Sequence, residues 1–76
     1  MKEQIIKILK ELRPEDDFTE SVNFIKEGML DSFEIVSLVS ALDEEFNVSI
    51  DGIDILPENF STIARIEALI IKNKTK

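Results

Sequence analysis

Asp31-Ser-Phe-Glu-Ile-Val-Ser-Leu-Val-Ser-Ala-Leu-Asp-Glu-Glu-Phe46 is the stretch whose reading decides the fold. It contains no proline or glycine, and its apolar residues recur at helical spacing. At about 100° per residue, Ile35, Leu38, Val39, Leu42 and Phe46 fall on one side and form a core stripe. Phe33, Val36, Ser37, Ser40 and Glu44 fall on the opposite side. Phe33 and Val36 are therefore apolar residues expected to face outward, and Glu34, Asp43 and Glu45 flank them. Asp31 followed by Glu34 has the spacing of a capping box, so the helix is expected to begin at Asp31 or Ser32. It should end before Asn47.

Outward from this helix the chain reads as more helix joined by long connections. Ile5, Ile8, Leu9 and Leu12 repeat at i, i+3, i+4 and i+7, which predicts an amphipathic helix over residues 2–12, with Ile6 beside the stripe. Pro14 ends it, because the residue before a proline avoids helical geometry. Residues 13–31 form a long connection carrying Phe18, Val22, Phe24, Ile25, Met29 and Leu30. A connection of this length tends to be functional, and its apolar residues are expected to pack on the core. A turn of helix is expected near Glu20 to Ile25. Residues 47–61 form a second connection, with Ile53, Ile55, Leu56 and Phe60 as expected anchors and Pro57 opening a short helix or turn. Ser61 or Thr62 can cap a last helix, whose buried stripe is Ile63, Ile66, Leu69 and Ile70. Its Lys-rich end suits the negative pole of a helix dipole. The fold class is all-α: a single small helical bundle over residues 1–76, with three main helices and room for one short helix in the loop before the last.

Composition excludes several functions. The chain has 76 residues and no Cys, His, Tyr or Trp. A Ser–His–Asp or Cys–His catalytic set cannot be built, nor a zinc site of Cys and His. The two glycines, Gly28 and Gly52, do not make a phosphate loop. The acids do not have the spacing of a calcium loop, and no metal site is expected. A core this small yields only a few kcal/mol of net stability. Chemistry involving this chain is expected to be supplied by another protein, and the chain itself is not expected to be an enzyme. No apolar run approaches the ~18 residues of a membrane span. The lack of Cys and of a leader-like N-terminus leads to an expected cytoplasmic location.

The net charge is −7. It disfavours nucleic acid and anionic membrane surfaces, both of which would repel it. The distribution is more informative than the total. No Lys or Arg occurs from Glu27 to Ala64, while that stretch holds nine Asp and Glu residues. A charge run of this kind reads either as a well-solvated surface, its usual meaning, or as a docking face that steers basic partners into encounter.

The segment Gly28-Met-Leu-Asp31-Ser32, the apolar stripe behind it, and Glu44-Glu45-Phe46 together resemble the acyl carrier proteins. The resemblance extends over the chain, through Val48-Ser-Ile50 and Phe60-Ser-Thr-Ile63. It implies that Ser32 is the hydroxyl to which a phosphopantetheinyl transferase attaches 4'-phosphopantetheine from coenzyme A. It implies that the arm's thiol then carries an acyl or aminoacyl group as a thioester. Asp31 would be both helix cap and the motif residue read by the transferase. Phe33, Glu34, Val36, Asp43, Glu44 and Glu45 would recognise partners: the transferase, and acyl- or aminoacyl-activating and transferring enzymes with basic docking surfaces. A monomeric carrier for fatty acid, polyketide or related biosynthesis is the first expectation. Ser37 departs from the acid found in many fatty-acid carriers, and the Gly-Met-Leu lead-in looks more like D-alanyl or peptidyl carriers. A different class, an unmodified acidic interaction module, would fit the charge without the arm.

Overall fold

The computed structural model describes residues 1–19 and 22–74. Three α-helices account for most of it: α1 (Lys2–Leu12), α2 (Ser32–Phe46) and α3 (Ile63–Lys74). Two short 3-10 helices, Gly52–Asp54 and Pro57–Phe60, lie in the connection before α3. No strand occurs among the described residues. The all-α, acyl-carrier-like bundle expected from the sequence is the fold observed. Helix α1 packs against both α2 and α3, and the second 3-10 helix packs under α3.

The helix boundaries follow local chemistry. Helix α1 closes where the Arg13 N–H donates to the Leu9 carbonyl at 2.9 Å, one residue before Pro14. Ile5 and Leu9 are fully buried, with Ile6, Ile8 and Leu12 half-buried beside them. Helix α2 stops at Asn47, which takes the left-handed conformation (φ 52°) that Asn tolerates better than most residues. All five residues of its expected stripe are buried. Helix α3 is capped by Thr62, whose Oγ1 accepts the Arg65 N–H at 3.1 Å. Its stripe extends one turn further than the apolar pattern, to Asn73. Asn73 is satisfied there by the Leu69 carbonyl (2.9 Å) and the Asp51 N–H (3.3 Å).

The first connection is part of the core. Phe18, Phe24 and Leu30 are buried, and the Phe18 and Phe24 rings meet edge-to-face with centroids 5.0 Å apart. Truncating a fully buried phenylalanine costs about 3–5 kcal/mol, comparable to the net stability of a domain this size. The loop is thus as necessary to folding as the helices. Of the helical turn expected at residues 20–25, Glu20 and Ser21 lie outside the described residues. A hydrogen-bonded turn occurs slightly later, over residues 24–28, and it is not an α-helix.

Two expected anchors of the second connection face solvent. Ile53 is 81% exposed and Leu56 45%, while Ile55 is half-buried and Phe60 fully buried. The cause is Asp54. Its carboxylate turns inward to the Lys72 ammonium at 2.9 and 3.0 Å, and its carbonyl accepts the Asn59 side-chain amide at 2.8 Å. With Asp54 turned in, its neighbour Ile53 is turned out.

Gly28 closes the 24–28 turn at φ +70°. An added Cβ there would meet no atom within 4 Å, so a substitution suffers only the conformational penalty. Gly28→Ala is expected to destabilise the fold by about 1–2 kcal/mol without altering helical content, measured by urea unfolding followed by circular dichroism. An unchanged midpoint would show that the left-handed turn is not required.

Candidate functional site

Ser32 is the first residue of α2 and is solvent-exposed. The Asp31 cap fixes its position. Asp31 has extended backbone, and its Oδ1 accepts the Glu34 N–H at 2.8 Å. Glu34 returns the bond, its Oε1 accepting the Asp31 N–H at 3.1 Å. The capping box read from the spacing is therefore formed in full. It saturates one first-turn N–H, while the first helical N–H groups, having no acceptor one turn back, still point out of the helix end. That end carries the positive pole of the dipole, so a phosphate ester on Ser32 would sit in favourable electrostatics.

A residue without a role in the sequence reading completes the site. The Arg13 Nη1 donates to both Glu34 oxygens, at 3.0 and 2.8 Å. Its other nitrogens approach Asp16 at 3.1 Å and Glu15 at 3.4 Å. The hydrogen bond to Glu34 is the main cause of a guanidinium pKa raised above its ordinary value, with the nearby charges adding to it. The guanidinium therefore keeps its charge across the ordinary pH range. Arg13 thereby ties the end of α1 to the first turn of α2 and offsets the charge of Glu34 beside Ser32. The separation of 21 positions gave no local pattern by which to find it.

The acids expected to meet partners divide by environment. Glu34 is mostly buried and engaged by Arg13 and Asp31. Asp43 is half-buried; its Oδ1 accepts the Ile50 N–H at 3.1 Å and its carbonyl accepts the Val48 N–H at 3.1 Å, so it organises the chain leaving α2. Glu44 and Glu45 are exposed, and Glu45 accepts the Gln4 side-chain amide at 3.3 Å. Phe33 is 81% exposed and Val36 65%, so a large apolar surface lies directly beside Ser32. The helix thus presents a hydroxyl, two apolar side chains and two exposed carboxylates on its outer side.

No general base accompanies the hydroxyl, because the chain has no His and the neighbouring carboxylates of Asp31 and Glu34 are occupied by the cap. Ser32 therefore presents an exposed hydroxyl with no neighbouring base to activate it as a nucleophile. Among the described residues no cluster of three or more potential metal ligands occurs, and no helix is long and apolar enough to cross a membrane. Asp31→Ala should remove about 1 kcal/mol and lower the thermal midpoint by about 4–8 °C, whereas Asp31→Asn, which preserves the cap, should lose much less. Equal losses in the two variants would show that the cap is not what holds the start of α2.

Comparison with known proteins agrees with this geometry. Residues 2–70 match the family described as "Phosphopantetheine attachment site". The D-alanyl carrier protein of Lactococcus lactis subsp. lactis (strain IL1403) is 30% identical over 76 residues, covering 97% of this chain and 96% of that protein. The D-alanyl carrier protein of L. lactis subsp. cremoris (strain MG1363) is 31% identical over 72 residues, covering 92% of this chain and 91% of its own. No solved structure gives a significant match. The chain belongs to the phosphopantetheine-attachment family of carrier proteins, non-catalytic acyl-carrier-type bundles that hold 4'-phosphopantetheine covalently on a serine.

Proposed function

We propose that Ser32 is the attachment serine and that the cargo is an aminoacyl group, D-alanyl in particular. Ser32 is exposed, directly follows the cap residue Asp31 and stands at a helix N-terminus that favours a phosphate ester. The arm, when attached, supplies the thiol that a chain without Cys cannot offer. The protein's own residues then have three tasks. Arg13, Asp31 and Glu34 hold the end of α2 in place. Phe33 and Val36 offer an apolar contact beside the arm, and Glu44 and Glu45 draw in enzymes with basic docking surfaces.

The observation that carries the cargo assignment is likeness to D-alanyl carrier proteins along more than nine-tenths of both chains. The Gly28-Met-Leu-Asp31-Ser32 lead-in and the neutral Ser37 point the same way. Both weigh against the first expectation of a fatty acyl cargo.

Incubation with a phosphopantetheinyl transferase and coenzyme A should raise the intact mass by one phosphopantetheine. Ser32→Ala should abolish the gain with unchanged helical content. No gain, under conditions where a known carrier is modified, would favour an unmodified interaction module. For the cargo, the modified protein should accept D-alanine from a D-alanine-activating ligase with ATP, and accept palmitate from a fatty-acyl-activating synthetase much more slowly. The reverse preference, read by mass, would overturn the D-alanyl assignment.

Reversing both Glu44 and Glu45 to Lys should slow modification by a basic transferase and flatten its salt dependence. Rates unchanged at low salt would remove these acids from the docking surface.

A further inference from the structure

Lys26 and Arg65 are the two bases that bracket the base-free stretch of the sequence. The fold brings them to the same groove, of about 440 Å³, between the first connection and the start of α3. The two walls are joined by one short hydrogen bond, from the Phe24 N–H to the Ser61 carbonyl at 2.6 Å. Lys26 is held on its wall by its backbone N–H, which donates to Asn23 Oδ1 at 2.9 Å. Arg65 is held on the other by the α3 cap. Ile25 and Pro57 contribute apolar surface between them, and Glu58 is the one acid on the rim. Both basic side chains are exposed, and neither has an ion pair among the described residues.

The chain has a net charge of −7, yet this apolar groove is flanked by two exposed cations, and that arrangement specifies an occupant. It should carry negative charge next to a large apolar group. Nucleic acid and anionic bilayers are repelled by the protein as a whole, and neither offers a single apolar side chain to a groove of this size. We propose that this groove docks a partner protein through a short segment in which carboxylates flank a large apolar side chain. The charge preference is opposite to that of the Glu44–Glu45 surface. A partner carrying both a basic and an acidic patch could be held in one orientation by the two surfaces together.

The probe is a pair of short synthetic peptides titrated into isotope-labelled full-length protein and followed by amide chemical shifts. One has a central Phe flanked by Asp and Glu, and the other has Asn and Gln in their place. The acidic peptide should shift the amides of Asn23, Lys26, Glu58 and Arg65, bind about fivefold more tightly than the neutral one, and weaken with salt. The double variant K26E/R65E should lose that advantage, and the milder K26A/R65A should behave likewise while both retain the native circular dichroism spectrum. Equal binding of the two peptides, shifts centred elsewhere, or unchanged affinity in the double variants would overturn the proposal. Modification at Ser32 is measured separately on the same variants and should be retained, so failure of the carrier assignment and failure of this groove are distinguishable.

Discussion

The bond between Arg13 and Glu34 is the constraint on which the site depends. Glu34 is the third residue of α2 and the returning half of its capping box. Arg13 is the residue that ends α1. One guanidinium therefore fixes where the first helix stops relative to where the second begins, across a connection long enough to wander. It also partly neutralises the carboxylate of Glu34, two residues from Ser32. Without it, a phosphate ester on Ser32, as proposed, would stand between two uncompensated acids, Asp31 and Glu34, and the dipole's benefit of a fraction of a kcal/mol would be offset by their repulsion.

That constraint works because the connection it spans is packed. Phe18, Phe24 and Leu30 enter the same core as Ile35, Leu38 and Leu42. Hydrogen bonds at its far end, from Phe24 to Ser61 and from Met29 to Phe24, join the loop to the beginning of α3 and to itself. A small bundle with few apolar residues to spare uses its loops as core elements, because three short helices alone would bury too little. The acids of this region divide by environment. Asp43 and Asp54 are consumed in holding chain segments, whereas Glu44 and Glu45 remain exposed on the surface.

The elements that were legible in the sequence are those governed by neighbours within a few positions. The cap at Asp31, the stop before Pro14, the end at Asn47 and the three buried stripes each follow from short-range chemistry, and each is found where expected. The outward aim of Phe33 and Val36 was legible for the same reason, since helical geometry alone opposes them to the stripe. Ile53 and Leu56 were not, because the direction of a side chain in an irregular segment depends on what its neighbour binds. Here the neighbour binds Lys72, on another helix.

The sequence by itself determined the three helices, the position of Ser32 at the start of one of them and the carrier family, because periodicity, capping and motif spacing all act along the chain. Only the tertiary structure decided which charges are engaged. It assigned Glu34 to Arg13 and Asp54 to Lys72, left Glu44 and Glu45 exposed, and brought Lys26 and Arg65 to one groove. Ion pairing depends on separation in space and on burial, and in this chain those pairs lie 18 to 21 positions apart, beyond the reach of any local pattern.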